Sequence, residues 1–412
     1  MRILIILLIL SMNMFAQMRN NSFFWEINQF PEDSSSILHI TYRITYESLV
    51  FVKDKNMYNS GLNFFVETFK NGNVTGRISD SKNVSIYDYS LTNSANHYVE
   101  GMVSIRIPFG EAKIYADVEL INSDKKIKIP TKELIIASRD TSKILNPIVI
   151  KDIKSEDGLY KYLLCNYSGT IPYSDKSYSV LIPIMKTSVP ELTFKIKQQN
   201  DSSFTVIGEK VISGIPDFKI ENKSILIRQG DISDTTFSFY LINNFSNKLN
   251  EGRITIEVKD EPNIKHGFLD VLWVHKPLSL SDNERAIRIL RNIEKEKELN
   301  KLLSVDKEKY YEELKKYWSK YDPDESTPYN EVMNEFYCRV DTADLEFGSL
   351  DIDNGSESDR GKIYIKFGRP EKIERTYSES NQTLEFWYYG GSINRKFVFE
   401  DKAGLGNYIL IN

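Results

Sequence analysis

The sequence predicts a multidomain, β-dominated protein: two all-β, immunoglobulin-like sandwich modules followed by a C-terminal α+β domain of three helices and an antiparallel sheet. Three observations predict it. Up to about Val274 the chain is a succession of short β-branched and aromatic runs separated by turn residues. At Ser281 the hydrophobic period changes from two to about 3.6. Beyond Gly355 the short alternating runs return, punctuated by glycine pairs. A chain of 412 residues is long enough for three cores of ordinary size.

The N-terminus reads as a secretory signal peptide over residues 1–17. Arg2 gives the positive start, Ile3 to Phe15 the apolar run, and Ala16-Gln17 a small-residue cleavage site. The run is too short to span a bilayer. No cysteine follows it to carry a lipid, so the expectation is an exported protein, periplasmic or extracellular, and not a lipoprotein. No later stretch has the length of apolar sequence that a transmembrane helix needs.

The first module, 23–145, rests on Ile37–Tyr46, Leu62–Phe69, Val103–Pro108 and Lys113–Leu120. Lys70-Asn71-Gly72-Asn73 carries the Asn-Gly signal of a tight hairpin. Asn146-Pro147 forces an extended connection and marks the boundary to a second module, 146–275. Its strands are Tyr178–Ile184, Phe194–Ile196, Ser224–Arg228, Phe237–Leu241 and Arg253–Val258.

The C-terminal domain, 281–412, opens with Ser281-Asp282-Asn283-Glu284, which reads as a capping box. Ile287, Leu290 and Ile293 then form one helix face. Asp306 opens a second helix with Tyr310, Leu314, Tyr317, Trp318 and Tyr321 inward, and Asp322-Pro323 stops it. Thr327 as N-cap and Pro328 at the first helical position open a third. Its inner face is Val332, Phe336, Val340, Ala343 and Phe347. Strands are expected at Ile363–Phe367, Leu384–Tyr389, Arg395–Glu400 and Tyr408–Ile411.

Composition narrows function by exclusion. A net charge of −5 argues against nucleic acid or an anionic membrane as partner. His39, His97, His266 and His275 are dispersed, so no zinc site is expected, and no metal or cofactor is assigned. Neither a Gly-x-Ser-x-Gly elbow nor a phosphate-binding glycine loop occurs. Cys165 and Cys338 fall in different domains and read as free thiols. The acidic stretch Asp351–Asp359 fails the EF-hand template, with Gly355 and Ser356 at its fifth and sixth positions, and reads as a solvated loop.

Two readings of Asp359-Arg360 stand side by side. In one, Arg360 supplies a planar donor fork and Asp359 an acceptor or general base in an anion or carbohydrate site. In the other, Asp359 caps the start of a strand, Arg360 pairs with a helix carboxylate such as Glu331 or Glu335, and Gly361 permits close backbone packing. The aromatic set Tyr310, Tyr317, Trp318, Tyr321, Tyr337, Tyr364, Trp387, Tyr388 and Tyr389 reads mainly as core, with a sugar-binding groove as the alternative. Alternation places Trp387 and Tyr388 on opposite faces.

From about Glu284 onward the sequence resembles the GWxTD domain family of bacterial exported proteins. The resemblance is carried by Trp318 with Asp322-Pro323, Thr327-Pro328-Tyr329-Asn330-Glu331 and Phe336-Tyr337-Cys338-Arg339-Val340. It continues through Asp359–Pro370, Phe386-Trp387-Tyr388-Tyr389, Phe397–Asp401 and Gly404-Leu405-Gly406-Asn407-Tyr408. Tyr42–Val52 looks like the front half of the same proteins. Where the family shows Gly-Trp-x-Thr-Asp, this chain has Gly355-Ser356-Glu357-Ser358-Asp359. The family has no established activity, so the resemblance implies no reaction. The expectation is a non-enzymatic interaction protein of the envelope or surface, with a protein or envelope-glycan partner. Its candidate interaction site is Asp359, Arg360, Gly361, Glu331 and Trp387. The alternatives are a cell-envelope enzyme acting on glycan or peptide, or a carbohydrate-binding module.

Overall fold

The computed structural model describes residues 23–139, 144–156, 158–185, 187, 189–198, 202–231, 237–260, 263–349 and 352–412. The export segment and Asp351 of the acidic stretch lie outside the described residues. The chain is mostly β and divides into two compact units, one ending at Val274 and one running from His275 to Asn412.

In the first unit, strands Phe23–Pro31, Ser35–Thr45 and Tyr98–Pro108 form an antiparallel sheet. A second sheet is built on the long hairpin Met57–Lys70 and Asn73–Ile86, with Gly110–Leu120 and Lys126–Ile136 beside it. The hairpin turns where the sequence predicts it. Asn71 and Gly72 have φ of 51° and 79°, the left-handed geometry that a two-residue turn between twisted strands requires. Alternation along each strand sends Leu38, Ile40, Tyr42, Leu62, Phe64, Val66, Ile114 and Val118 into one core shared by both sheets.

An eleven-stranded sheet follows, from Ile148 to Leu272. It is antiparallel except where Ile171-Pro172 runs parallel to Val271-Leu272. Phe30 of the first strand packs among Phe218, Phe237 and Phe239, so residues 23–145 and 146–275 share a buried seam. Polar groups cross it too. Asn166 accepts from the Thr41 hydroxyl at 3.0 Å, and the Arg43–Glu100 pair lies buried beside it.

The second unit carries helices and a four-stranded antiparallel meander, as expected, but with five α-helices among the described residues in place of three. They are α1 Asn283–Ile289, α2 Glu296–Leu302, α3 Tyr310–Trp318, α4 Glu331–Glu346 and α5 Asp359–Phe367. The strands are Lys372–Tyr377, Thr383–Tyr389, Arg395–Asp401 and Ile409-Leu410, in that order across the sheet. The first of these has no counterpart in the sequence reading.

The largest correction is α5, whose second half reads as a strand. The Ser358 hydroxyl accepts from the Gly361 amide at 3.0 Å, which caps a helix start. Gly368, at φ 79°, ends it. Between these stops Gly361 and Ile365, four residues apart, face inward, and Ile363, Tyr364 and Phe367 are only partly covered.

Two other caps move. Asp282, not Ser281, caps α1 by accepting from the Arg285 amide. Asn330, not Thr327, caps α4 by accepting from the Met333 amide at 2.7 Å. Three residues assigned to inner faces are half-exposed: Ile293 at 41%, Tyr321 at 48% and Val332 at 40%. Ile293 and Tyr321 lie just beyond the helices whose periodicity they continue, and Val332 sits in the first turn of a helix that starts later than expected.

Candidate functional site

The five predicted site residues occupy two separate places. Asp359, Arg360 and Gly361 open α5 and Trp387 lies next to Arg360's partner, whereas Glu331 opens α4 and faces a groove.

Around α5 the geometry is that of a clamp. Arg360 is buried, with Nη1 3.6 Å from Glu385 Oε1 and Nη2 donating to the Gly406 carbonyl at 3.3 Å. Its guanidinium carbon stands 4.0 Å from the centre of the Tyr408 ring. Burial lowers the Arg360 pKa from its ordinary value, against the pull of Glu385. The expected helix carboxylate is therefore not its partner. Glu335 pairs with Arg339 at 2.7 Å instead, an i,i+4 contact along α4. Glu385 sits on the buried side of Thr383–Tyr389 and also accepts from Arg375 Nε at 2.6 Å and Trp387 Nε1 at 2.7 Å. Strand alternation puts Glu385, Trp387 and Tyr389 on that one side, and Trp387 is fully enclosed between Phe347 and Phe399. This removes Trp387 from any open binding face.

Asp359 ties the end of the chain to α5. Its Oδ2 accepts from the Leu410 amide at 3.0 Å and its Oδ1 from Lys362 at 3.1 Å. Burial pushes its carboxyl up, but these donors outweigh that and hold it below the usual carboxylate range. Gly361 is required sterically. A β-carbon there would stand 1.9 Å from the Gly355 carbonyl oxygen. The close packing that the sequence suggests at Gly361 is present, whereas Glu385 lies beyond the reach of the helix-partner argument.

Glu331 lines a groove of about 600 Å³ bounded by α3, α4, α5 and the turn after α1. Tyr317, Trp318 and Phe336 form its buried aromatic wall, and Ile293, Tyr321 and Val332 are its half-exposed apolar rim. Glu294 accepts from the Tyr317 and Tyr321 hydroxyls at 2.9 and 3.1 Å, which fixes both rings. Glu331 Oε2 is buried without a hydrogen-bond partner, an arrangement that costs free energy unless something completes it. Arg339 and Lys366 also line the groove. The sequence signal for this site lay in residues that continue an apolar pattern past a helix end.

Among the described residues no cluster of three His, Cys, Asp or Glu could hold a metal ion. Both cysteines are free thiols; burial pushes Cys165 up to about 12 and Cys338 up to about 11. Neither Asp359 nor Arg360 lines the groove or the hollow beside Ser356. Among the described residues no helix is long and apolar enough to cross a membrane.

No curated protein matches the chain. Residues 272–411 match the GWxTD domain family, a similarity confined to the C-terminal part of the chain.

Proposed function

We propose that this is a non-enzymatic binding protein that is exported to the cell envelope or surface, and that its C-terminal unit engages a partner protein through the Glu331 groove. The two β modules serve as immunoglobulin-like scaffolding. The observation that carries the reading is the groove: an aromatic wall, three half-exposed apolar side chains and one buried carboxylate oxygen that lacks a donor. An apolar rim with a single unmet acceptor suits a peptide segment that brings an apolar side chain and a donor group together. Catalysis at Asp359 and Arg360 is disfavoured because Leu410 and Lys362 already engage the Asp359 carboxylate and Glu385 and Gly406 engage Arg360 Nη1 and Nη2, which leaves only the buried Arg360 Nε without a partner.

Site-specific photo-crosslinking in the producing cells tests this. A photoreactive side chain at Val332, on the rim, is expected to give a discrete protein adduct. The same group at Leu345, 87% exposed on α4 but outside the groove, is expected to give none. Equal labelling from both positions, or none from Val332, overturns the reading. An adduct with glycan in place of protein moves it to a carbohydrate-binding module.

A further inference from the structure

Ser356 stands where the family motif carries tryptophan, and it borders a hollow. It is 2% exposed, and its amide donates to Asp344 Oδ1 at 3.0 Å.

Ser356 forms part of the lining of a hollow of about 380 Å³, closed on the other side by α1 and the turn that continues it. Arg285, Arg288 and Arg291 recur every third residue there, so they share a face. All three are fixed. Arg285 donates to Asp344 at 2.5 Å, Arg288 to Glu284 at 2.8 Å and Arg291 Nε to the Arg288 carbonyl at 2.9 Å, while buried Ile289 adds apolar surface. Guanidinium planes held in this way stack on the faces of aromatic rings. The charge balance argues against a simple anion site. Asp282, Glu284 and Glu357 lie in the same lining and largely offset the three arginines and Lys362. A flat, uncharged ring matches walls that are guanidinium planes with their charge already paired.

We infer that the Ser356 hollow is a receptor for one indole-sized aromatic ring supplied from outside the chain. The ring takes the space that a tryptophan at position 356 would fill from within. This site shares no lining residue with the Glu331 groove and stands or falls independently of it.

The test uses the full mature chain and two probes, indole and N-acetyltryptophanamide, titrated by saturation-transfer NMR. Saturable binding of at least one probe is expected. Binding of the amide marks a partner protein's side chain as the source, and binding of indole alone marks a free ring. Ser356→Trp fills the hollow and should abolish binding while raising the melting temperature. Arg291→Ala removes one stacking wall and should weaken binding about three- to fivefold, in keeping with a single cation–π contact. Ser356→Ala should bind as the parent does, because the hollow and not the hydroxyl is the receptor. Absence of saturable binding by either probe overturns the inference. Parental affinity in both Ser356→Trp and Arg291→Ala overturns it as well. If Ser356→Trp does not fold, Arg291→Ala decides alone.

Discussion

The Arg360 guanidinium lies 3.6 Å from the Glu385 carboxylate, both side chains buried, and the pair fastens α5 to the second strand of the C-terminal sheet. The arginine fork also reaches the Gly406 carbonyl and covers Tyr408. A lysine keeps the charge but loses the planar fork that spans the two acceptors and lies against the ring. Arg360→Lys is therefore expected to lower the stability of the C-terminal unit by about 1–3 kcal/mol. Equilibrium denaturation of the full chain measures this, and an unchanged midpoint would show that the clamp is dispensable.

Gly361 tests the same junction by shape alone. Its missing β-carbon lets the start of α5 rest on the Gly355 carbonyl, and a methyl group there meets backbone that has nowhere to go. Gly355 itself is equally confined, with the Ala343 carbonyl 2.0 Å from where its β-carbon would be. Gly361→Val should destabilise the C-terminal unit by about 3 kcal/mol or more. The β unit should melt as before, so two separate calorimetric transitions are expected. A single unshifted transition contradicts the packing.

His39 makes the β unit sensitive to acid. Its ring stacks on Phe218 at 4.4 Å, Nδ1 bonds Ser104 at 2.8 Å, and Nε2 is buried without a partner. Burial lowers its pKa from 6.5 to about 4; nearby Asp217 and Glu32 oppose the shift and Arg106 adds to it. Between those values the unfolded chain binds the proton and the folded one does not. Stability is thus full above pH 6.5 and falls as the pH drops towards 4, by about 3 kcal/mol from this residue. His39→Asn should remove that part of the slope. An identical pH profile in the variant would assign the acid sensitivity elsewhere.

Much of this fold is legible in the sequence where period and turn chemistry agree. The hairpin at Asn71-Gly72 needs two left-handed residues, and the sequence supplies two that tolerate them. The strand around Trp387 is read correctly because alternation separates Trp387 from Tyr388 without any tertiary information. The nine residues of α5 are ambiguous by contrast. Ile363, Ile365 and Phe367 alternate like a strand, and only Ser358 and Gly368, as paired start and stop signals, reveal the helix. The site divides the same way. Gly361's confinement is local and could be anticipated. Arg360's choice of Glu385 over Glu335 is a long-range outcome of how the sheet packs, which no spacing rule encodes.

Glu331 provides the sharpest separation of stability from binding. Its Oε2 is buried with no donor, which costs about 1–3 kcal/mol when nothing completes it. Its place in the first turn of α4, where an acidic side chain favours the helix dipole, returns only about 0.3–1 kcal/mol. The difference predicts that Glu331→Gln, which keeps the shape and adds a donor of its own, raises the denaturation midpoint by about 1 kcal/mol of stability. The same variant should lose most of the adduct formed from the photoreactive group at Val332, because the partner's donor then meets an amide in place of a carboxylate. A carboxylate kept at a cost to the free protein and needed by the complex is the signature of a binding residue. If Glu331→Gln lowers stability and leaves the adduct intact, the carboxylate is a helix-capping element and the groove's specificity lies in its aromatic wall alone.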